Sequence, residues 1–269
     1  MSSNKPLVIP SENLSYAWAD LFLRIINGSG KEISSLIISL TEFKNGIPTE
    51  DIAIREALND CLSAYNKEQI DTVANTIFPD TLWELAQYNR QVFFAKYIHN
   101  LPRIKALEPR KNCRGLYFER LIAFGCDFAN GNQLEHIISA YTANPSFRRA
   151  MFQASVFDPH RDHTLAPRLG FPCLQHLQFL PDNKSKTLTV NAFYATQQVF
   201  EKAYGNYLGI CRLSLFMAHE MRLSLDRVNF YIGVAKLDTI VKRAEEIAKL
   251  KEKVKQALDS SSEMQSDRE

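Results

Sequence analysis

The stretch Arg168-Leu-Gly-Phe-Pro-Cys-Leu-Gln-His-Leu-Gln178 is the starting point for predicting the fold and the site of this chain. It places Cys173 directly after a proline, inside a β-like run from Phe171 to Leu180. A second β-like run covers residues 188–196, and Asn206 then stands at the start of a long apolar segment. The order thiol, strand, strand, amide brings two chemically useful side chains to consecutive elements.

An arginine pair lies upstream of that stretch. Arg148 and Arg149 follow Asn144-Pro145 and lead into a run that ends at Asp158-Pro159. Guanidinium groups match the oxygens of a phosphate and keep their charge, so the pair suggests phosphate binding. By itself, an arginine pair at the start of a strand is also common on protein surfaces without any binding role. Together with the thiol and the amide, it indicates a site for a nucleotide.

The hydrophobic pattern predicts helices and strands without a regular βα alternation, which is typical of the α+β class. Helices are predicted at residues 16–26, 51–65, 80–99, 133–141 and 207–221, and strands at 35–40, 116–122, 150–157, 172–180, 187–195 and 228–234. Residues 1–238 are interpreted as one domain, 239–258 as a charged amphipathic helix and 259–269 as a disordered tail. The apolar seam of that helix is short for a coiled coil, which favours packing on its own domain.

Composition narrows the class of protein. A net charge of +2 over 269 residues lacks the basic surplus of a generic nucleic-acid binder. No apolar run approaches the roughly 20 residues of a membrane helix. The five cysteines are scattered without a CxxC motif, which favours a reducing compartment. We therefore expect a cytoplasmic protein that binds no membrane and is not a generic nucleic-acid binder.

This order of elements resembles the thymidylate synthase family. In that family an arginine pair precedes a strand that ends in an aromatic residue and Asx-Pro. A Pro-Cys nucleophile, a glutamine and an asparagine before the central helix follow in that order. The matching positions here are Arg148-Arg149, Phe157-Asp158-Pro159, Pro172-Cys173, Gln178, Thr196 and Asn206. The resemblance covers roughly residues 115–238, and we interpret the chain as a divergent relative.

The resemblance implies a layered fold with a bent mixed sheet, and a homodimer that pairs sheet to sheet. It implies that Cys173 adds to C6 of a pyrimidine nucleotide, and that Arg148 and Arg149 reach the partner's site. Arg168, five residues before Cys173, would favour the reactive thiolate. The remaining implied site residues are Gln178, Thr196, Asn206 as the reader of a uracil-type edge, and Glu56 as a weak match to the family's acid–base glutamate.

Other family contacts are absent. Ala195 stands where the family has an arginine on the phosphate. Gln198 and Lys202 replace an aspartate and a glycine that contact folate, and Lys236 and Asp238 replace the histidine and tyrosine that hold the sugar hydroxyl. The segment that closes over folate is also missing. The family's cofactor is methylenetetrahydrofolate, but its contacts depart from the pattern here, so the cofactor and the one-carbon donor of this chain stay open.

Three functions fit these residues. The first is a transferase that methylates or hydroxymethylates C5 of a pyrimidine nucleotide. The second is a catalytically inactive nucleotide-binding or scaffold homodimer, in which Cys173 is an inert thiol. The third is an enzyme of the same fold that acts on another activated ring. No metal is expected, because His160-Arg-Asp-His163 lacks the further ligands of a zinc site.

Overall fold

In the computed structural model, the described residues are 5–44, 47–125, 128–146, 148–165, 172–237 and 244–266, and of residues 128 and 261–266 only the backbone is described. The strands are β1 (Leu7–Ser11), β2 (Glu32–Leu40), β3 (Gln153–Ser155), β4 (Leu174–Asp182), β5 (Thr187–Gln198) and β6 (Ser224–Lys236). The α-helices are α1 (Leu14–Asn27), α2 (Ile52–Ala64), α3 (Ile70–Asn75), α4 (Asp80–Leu85), α5 (Arg90–Leu107), α6 (Pro109–Asn112), α7 (Tyr117–Ile122), α8 (Gln133–Ala143), α9 (Pro159–Asp162), α10 (Tyr204–Glu220) and α11 (Glu245–Ser266).

Over the described ranges, these strands form one mixed six-stranded sheet in the order β1-β2-β6-β5-β4-β3. The pairs β1–β2 and β5–β6 are parallel, and the pairs β2–β6, β5–β4 and β4–β3 are antiparallel. Helices α1, α8 and α10 contact the strands. The predicted α+β class with a mixed sheet is confirmed, and β4 and β5 lie side by side in that sheet.

The long apolar segment forms α10, which is buried along most of its length, as predicted. Two glycines let α3 approach it closely. A Cβ atom at Gly205 would lie 2.7 Å from the carbonyl oxygen of Ile70, and one at Gly209 would lie 2.7 Å from that of Ala74. Since real Cβ contacts do not come so near, only glycine fits at these positions. This contact holds the start of α3 beside the first turn of α10.

The connection from β5 to α10 is anchored by α1. Residues Val199–Ala203 form a π-helical turn between the two elements. The fully buried indole of Trp18 donates a hydrogen bond of 2.8 Å to the carbonyl oxygen of Val199. Ser15 and Tyr204 add a buried hydroxyl pair 2.7 Å apart. These contacts fix where Asn206 enters α10.

The two faces of the sheet differ in chemistry. Ile38, Val190 and Phe230 are fully buried on the face that packs against the helices. We call the opposite side the open face, and its residues, apart from the buried Asn191, keep part of their surface exposed; they are Ile37, Ser39, Gln178, Asn191, Phe193, Asn229 and Tyr231. A polar ladder crosses it, because Ser39 donates to Asn229, Asn229 to Asn191 and Asn191 to Gln178 at 2.8–2.9 Å. The rings of Phe193 and Tyr231 stack beside the ladder, 5.0 Å apart.

The strand predicted at residues 116–122 is wrong, because Tyr117–Ile122 is the helix α7. Apolar and aromatic residues in this run resemble a buried strand. The carboxylate of Glu119 accepts a hydrogen bond from the backbone N–H of Leu116, which closes the first turn. Arg120 then reaches a buried partner in α9. Local capping and one long-range ion pair override the apolar pattern.

The single helix predicted at residues 80–99 is two helices, α4 and α5. Gln87 and Tyr88 between them have left-handed φ angles of 52° and 56°. The side chain of Asn89 accepts hydrogen bonds from the N–H groups of Gln91 and Val92 and so starts α5.

The strand predicted at residues 150–157 is shorter in the structure, where only Gln153–Ser155 forms β3 after a 3-10 turn at Arg149–Met151.

The charged segment near the C-terminus forms α11, which packs against α2. Ile247, Leu250 and Val254 are buried in this contact. The helix continues to Ser266, past the end predicted at residue 258. In the described part of the chain, no helix has the length and apolar character needed to cross a membrane.

Candidate functional site

Cys173 lies just before β4 and lines two neighbouring cavities. The first cavity has a volume of about 280 Å³, and Tyr117, Arg120, Gln197 and Asn206 also line it. The second cavity has a volume of about 520 Å³, and its lining includes Cys113, Thr196 and Lys236. Several residues, among them Arg114, Gln197 and Lys202, belong to both linings. A ligand in either space can therefore contact the thiol.

Two elements, β5 and α7, hold Cys173 in place. Its carbonyl oxygen accepts a hydrogen bond of 3.0 Å from the N–H of Ala195 in β5. Its own N–H donates to the hydroxyl of Tyr117 in α7 at 3.2 Å, and its Sγ lies 3.5 Å from the hydroxyl oxygen of Thr196. The side chain is partly exposed. The backbone of the thiol is thus fixed while the sulfur stays accessible.

Tyr117 is a site residue that the sequence interpretation missed, because a strand was predicted there. Burial raises the pKa of its hydroxyl, and the adjacent Cys173 raises it further. The side chain therefore stays a neutral phenol at physiological pH. The Gly115-Leu-Tyr turn ahead of α7 was the available signal, but it does not by itself point to a site.

The other described cysteines differ from Cys173. Burial, followed by the charges of Glu246 and Asp60, raises the pKa of Cys61 to about 11. Burial also raises the pKa of Cys211. Cys113 is exposed and lines the second cavity. Among the four described cysteines, Cys173 and Cys113 are therefore the ones that a ligand can reach.

Among the amide side chains that line the first cavity, two are buried. Asn206 is only 4% exposed at the start of α10. Gln197, near the end of β5, is 1% exposed, and both its Oε1 and its Nε2 lack a hydrogen-bond partner among the described residues. Leaving a buried polar group unpaired costs on the order of 1–3 kcal/mol. Sequence analysis did not single out Gln197, since its role depends on burial.

A buried ion pair supports the wall of the first cavity. The guanidinium of Arg120 donates to both carboxylate oxygens of Asp162 at 2.6 and 2.7 Å. It also donates to the carbonyl oxygens of Val156 and Arg114. Burial opposes ionisation of Asp162, but the contacts with Arg120 outweigh it and lower the pKa of the carboxyl. Asp162 in the predicted His160–His163 segment is thus part of a structural pair.

One carboxylate, Glu68, lines the first cavity and is neutralised by lysines. Its oxygens lie 2.5 Å from Nζ of Lys202 and 3.1 Å from Nζ of Lys111. Burial opposes its ionisation, yet the two ammonium groups outweigh this effect and lower the pKa of Glu68. Glu68 is therefore ionised at neutral pH, which suits charge balance better than proton donation.

The structure brings together three of the predicted site residues, Cys173, Thr196 and Asn206, which line one or both cavities. Gln178 lies on the open face and accepts the hydrogen bond from Asn191. Glu56 is exposed on α2 and lines neither cavity.

The predicted arginines stand apart from this group. Arg148 and Arg149 are exposed ahead of β3 and line neither cavity. Arg168 lies outside the described residues. The two positions that replace the family's folate contacts, Gln198 and Lys202, do line both cavities. Within one chain, the observed site is therefore a thiol with amides and cations around it.

No protein-family model matches the chain, and no curated protein matches its sequence. The chemistry available to the site follows from its own groups. An accessible thiol can act as a nucleophile, and amides can read the donor and acceptor edge of a ring.

Proposed function

We propose that the chain transfers a one-carbon group to C5 of a pyrimidine nucleotide, by methylation or hydroxymethylation. The observation that carries the proposal is the accessible Sγ of Cys173 in a cavity that Asn206 and Gln197 also line. An amide offers both a donor and an acceptor, as the edge of a uracil ring requires. The thymidylate synthase resemblance, which remains an inference from sequence, supports the same chemistry.

The proposed reaction starts with the thiolate of Cys173. Its electron pair forms the S–C6 bond, and the electrons of the C5–C6 double bond move to C4–C5 as an enolate. C5 then bonds to a one-carbon donor at the oxidation level of formaldehyde. Loss of the C5 proton and departure of the thiolate restore the double bond. Hydroxymethylation is complete at this point, whereas methylation also needs a two-electron reductant that gives a hydride to the new carbon while its oxygen leaves as water.

Three described side chains take defined parts in this proposal. Tyr117 holds the backbone of Cys173, and Asn206 and Gln197 read the ring. The positions of Gln198 and Lys202 do not fit the family's folate contacts, because Gln198 is exposed and Lys202 pairs with Glu68. These two side chains therefore do not form a folate site of the family's kind.

We further propose that the protein acts as a homodimer, with the open face as the contact between two copies. Arg148 and Arg149 line neither cavity of their own chain, and they precede β3 at the edge of the sheet. In a dimer they would reach the partner's site. Light scattering should give twice the mass of one chain at micromolar concentration, and a monomer there would contradict this part.

A catalytically inactive nucleotide-binding homodimer is the second candidate. It is favoured by the position of Glu56, which is exposed on α2 and lines neither cavity. The described carboxylate that does line the first cavity, Glu68, is held ionised by two lysines. In this case the cavities would bind a nucleotide without chemistry at C5.

A covalent trap separates the two candidates. A 5-fluoropyrimidine nucleotide should form a stable adduct at Cys173, because fluorine at C5 cannot leave as a proton does. Cys173→Ser should abolish the adduct, and Cys113→Ser serves as the matched control that keeps it. Tritium release from C5-labelled uridine and cytidine nucleotides measures turnover. Nucleotide binding with neither adduct nor release would favour the inactive candidate.

A further inference from the structure

The second cavity carries a concentration of positive charge. Five of its lining residues are basic, and no carboxylate lines it among the described residues; the five are Arg110, Lys111, Arg114, Lys202 and Lys236. The whole chain has a net charge of only +2. This local excess therefore belongs to the cavity and not to the surface in general.

Not all of these cations are neutralised within the chain. Lys111 pairs with Glu68 and Glu108, and Lys202 pairs with Glu68. Arg110, Arg114 and Lys236 form no ion pair with a described carboxylate, although Arg114 lies near enough to Asp162 for its charge to help lower the pKa of that carboxyl. Moreover, Nη1 of Arg114 is buried and has no hydrogen-bond partner among the described residues. A guanidinium nitrogen in this state is stabilised by an anion, which supplies both charge and acceptor oxygens.

Gln197 adds a neutral group to the same cavity. In the described part of the chain, neither polar atom of its buried amide has a partner, so a ligand that satisfies it must offer an acceptor and a donor. A hydroxyl group beside a phosphate offers both, as does the edge of a pyrimidine ring.

We propose that the second cavity binds the phosphate of a phosphorylated ligand within one chain, through Arg110, Arg114 and Lys236. Gln197 forms hydrogen bonds with a donor and an acceptor of the same ligand, such as the edge of its ring. This rests on the proposed function only in that the same ligand reaches Cys173. The cations come from α6, the turn after it and the end of β6, so the site is complete without a partner subunit. These three cations would act in addition to Arg148 and Arg149, which are proposed to reach the site from the partner subunit.

Inorganic pyrophosphate is the first probe, because it tests the anion site without any ring. Iodoacetamide labelling, read by peptide mass spectrometry, should show that pyrophosphate slows the alkylation of Cys113 and Cys173. Calorimetric titration should show affinity that falls with added salt, as expected for exposed charges. Unchanged labelling of both thiols together with no heat of binding would overturn the proposal.

Single variants locate the site. Arg114→Met and Lys236→Met should each weaken pyrophosphate binding roughly tenfold, the loss expected for one charged hydrogen bond. Lys184→Met, at an exposed turn between β4 and β5, is the matched control and should bind like the original chain. Equal affinity of all three variants would overturn the assignment. Lys236 is exposed, so its replacement keeps the test valid if Arg114→Met folds poorly.

Gln197→Leu tests the amide by two readouts of opposite sign. Removing two unpaired buried polar atoms should raise the melting temperature of the free protein, while affinity for uridine 5′-monophosphate falls more than affinity for pyrophosphate. A side chain with a purely structural role would not separate these two ligands. If both affinities stay unchanged, Gln197 does not read the ligand.

The outcomes also separate this proposal from the proposed function. Pyrophosphate binding that depends on Arg114 and Lys236, without any fluoronucleotide adduct, would support the anion site and remove the nucleophile. An adduct at Cys173 that forms equally well in Arg114→Met and Lys236→Met, at every nucleotide concentration, would support the nucleophile and remove the anion site.

Discussion

Cys173 and Cys61 are two thiols whose surroundings have opposite balances of charge. Around Cys61, α2 and α11 bring Asp60 and Glu246 near the sulfur, and burial together with these carboxylates raises the pKa of the thiol to about 11. Around Cys173, the second cavity is lined by basic side chains and the sulfur is partly exposed. The surroundings of a thiol, more than its presence, decide whether it can react.

The two regions also differ in how their polar groups are satisfied. On α11, the side chains of Ile247, Leu250 and Val254 are buried. The sulfur of Cys61 on α2 lies 3.7 Å from the carbonyl oxygen of Glu246. By contrast, the Cys173 region leaves the amide of Gln197 unpaired. A cavity of about 450 Å³ lined by Cys61 also lies along the first contact, and the nearby hydroxyl of Tyr65 is buried without a hydrogen-bond partner among the described residues. The Cys173 region differs because one buried side chain, Gln197, offers a ligand both a donor and an acceptor.

The largest expected effect comes from breaking the ion pair beneath the Cys173 region. Arg120→Met leaves the carboxylate of Asp162 buried without its partner, which should lower the free energy of unfolding by about 3–5 kcal/mol. Urea denaturation measures this. Lys249→Met removes an exposed ion pair in α11 and should leave the urea midpoint unchanged. A loss for Arg120→Met no larger than for this control would contradict the structural role of the pair.

The same pair has a defined pH dependence. Because the folded protein lowers the pKa of Asp162, its contribution to stability is present above the ordinary value near 4 and is lost as pH falls through the folded value. Asp162→Asn should therefore be much less stable than the original chain at neutral pH. The difference between their urea midpoints should shrink below about pH 4. A pH-independent difference would show that the charge of Asp162 is not responsible.

Opening the Cys61 region should have a somewhat smaller effect. Ile247→Ala removes a fully buried side chain from the contact of α11 with the domain, at a cost of about 2–4 kcal/mol. Alkylation of Cys61 should become faster, while that of Cys173 stays the same. Lys255→Ala, on the exposed side of α11, is the control for the helix itself. If both thiols change together, the two regions are not independent.

Alkylation of the unaltered protein compares the two thiols directly. At neutral pH, Cys173 and the exposed Cys113 should be labelled by iodoacetamide, while Cys61 should react only as pH approaches its pKa of about 11. Peptide mass spectrometry after a short pulse at each pH gives the rates. Equal rates for Cys173 and Cys61 at neutral pH would remove the contrast between the regions.

The smallest expected effect concerns Tyr117. Tyr117→Phe removes the acceptor for the N–H of Cys173, which should lower the free energy of unfolding by about 1 kcal/mol. The rate of adduct formation with a 5-fluoropyrimidine nucleotide should fall, because the thiol is less firmly positioned. The rate of iodoacetamide labelling measures accessibility alone and should change little. An unaltered adduct rate would mean that Tyr117 does not position the nucleophile.

Much of the fold could be predicted because its signals are local. The periodic apolar residues of α1 and α2, the buried length of α10 and the alternation in β4 and β5 all arise from neighbours in sequence. Prediction failed at α7, where the apolar run Leu116–Ile122 suited a strand equally well. The capping carboxylate of Glu119 and the distant Asp162 decide that helix. It also failed at Gln87 and Tyr88, where Asn89 starts a new helix.

The sequence by itself determined the α+β class, the order of the main elements and the placing of Cys173, Thr196 and Asn206 on adjoining elements, because each depends on residues close together in the chain. Only the tertiary structure decided which side chains surround the thiol. Tyr117 and Arg114 come from segments more than fifty residues away, and Gln197 matters because burial leaves its amide unpaired. Burial and long-range charge are properties of the folded chain, so no local pattern reports them.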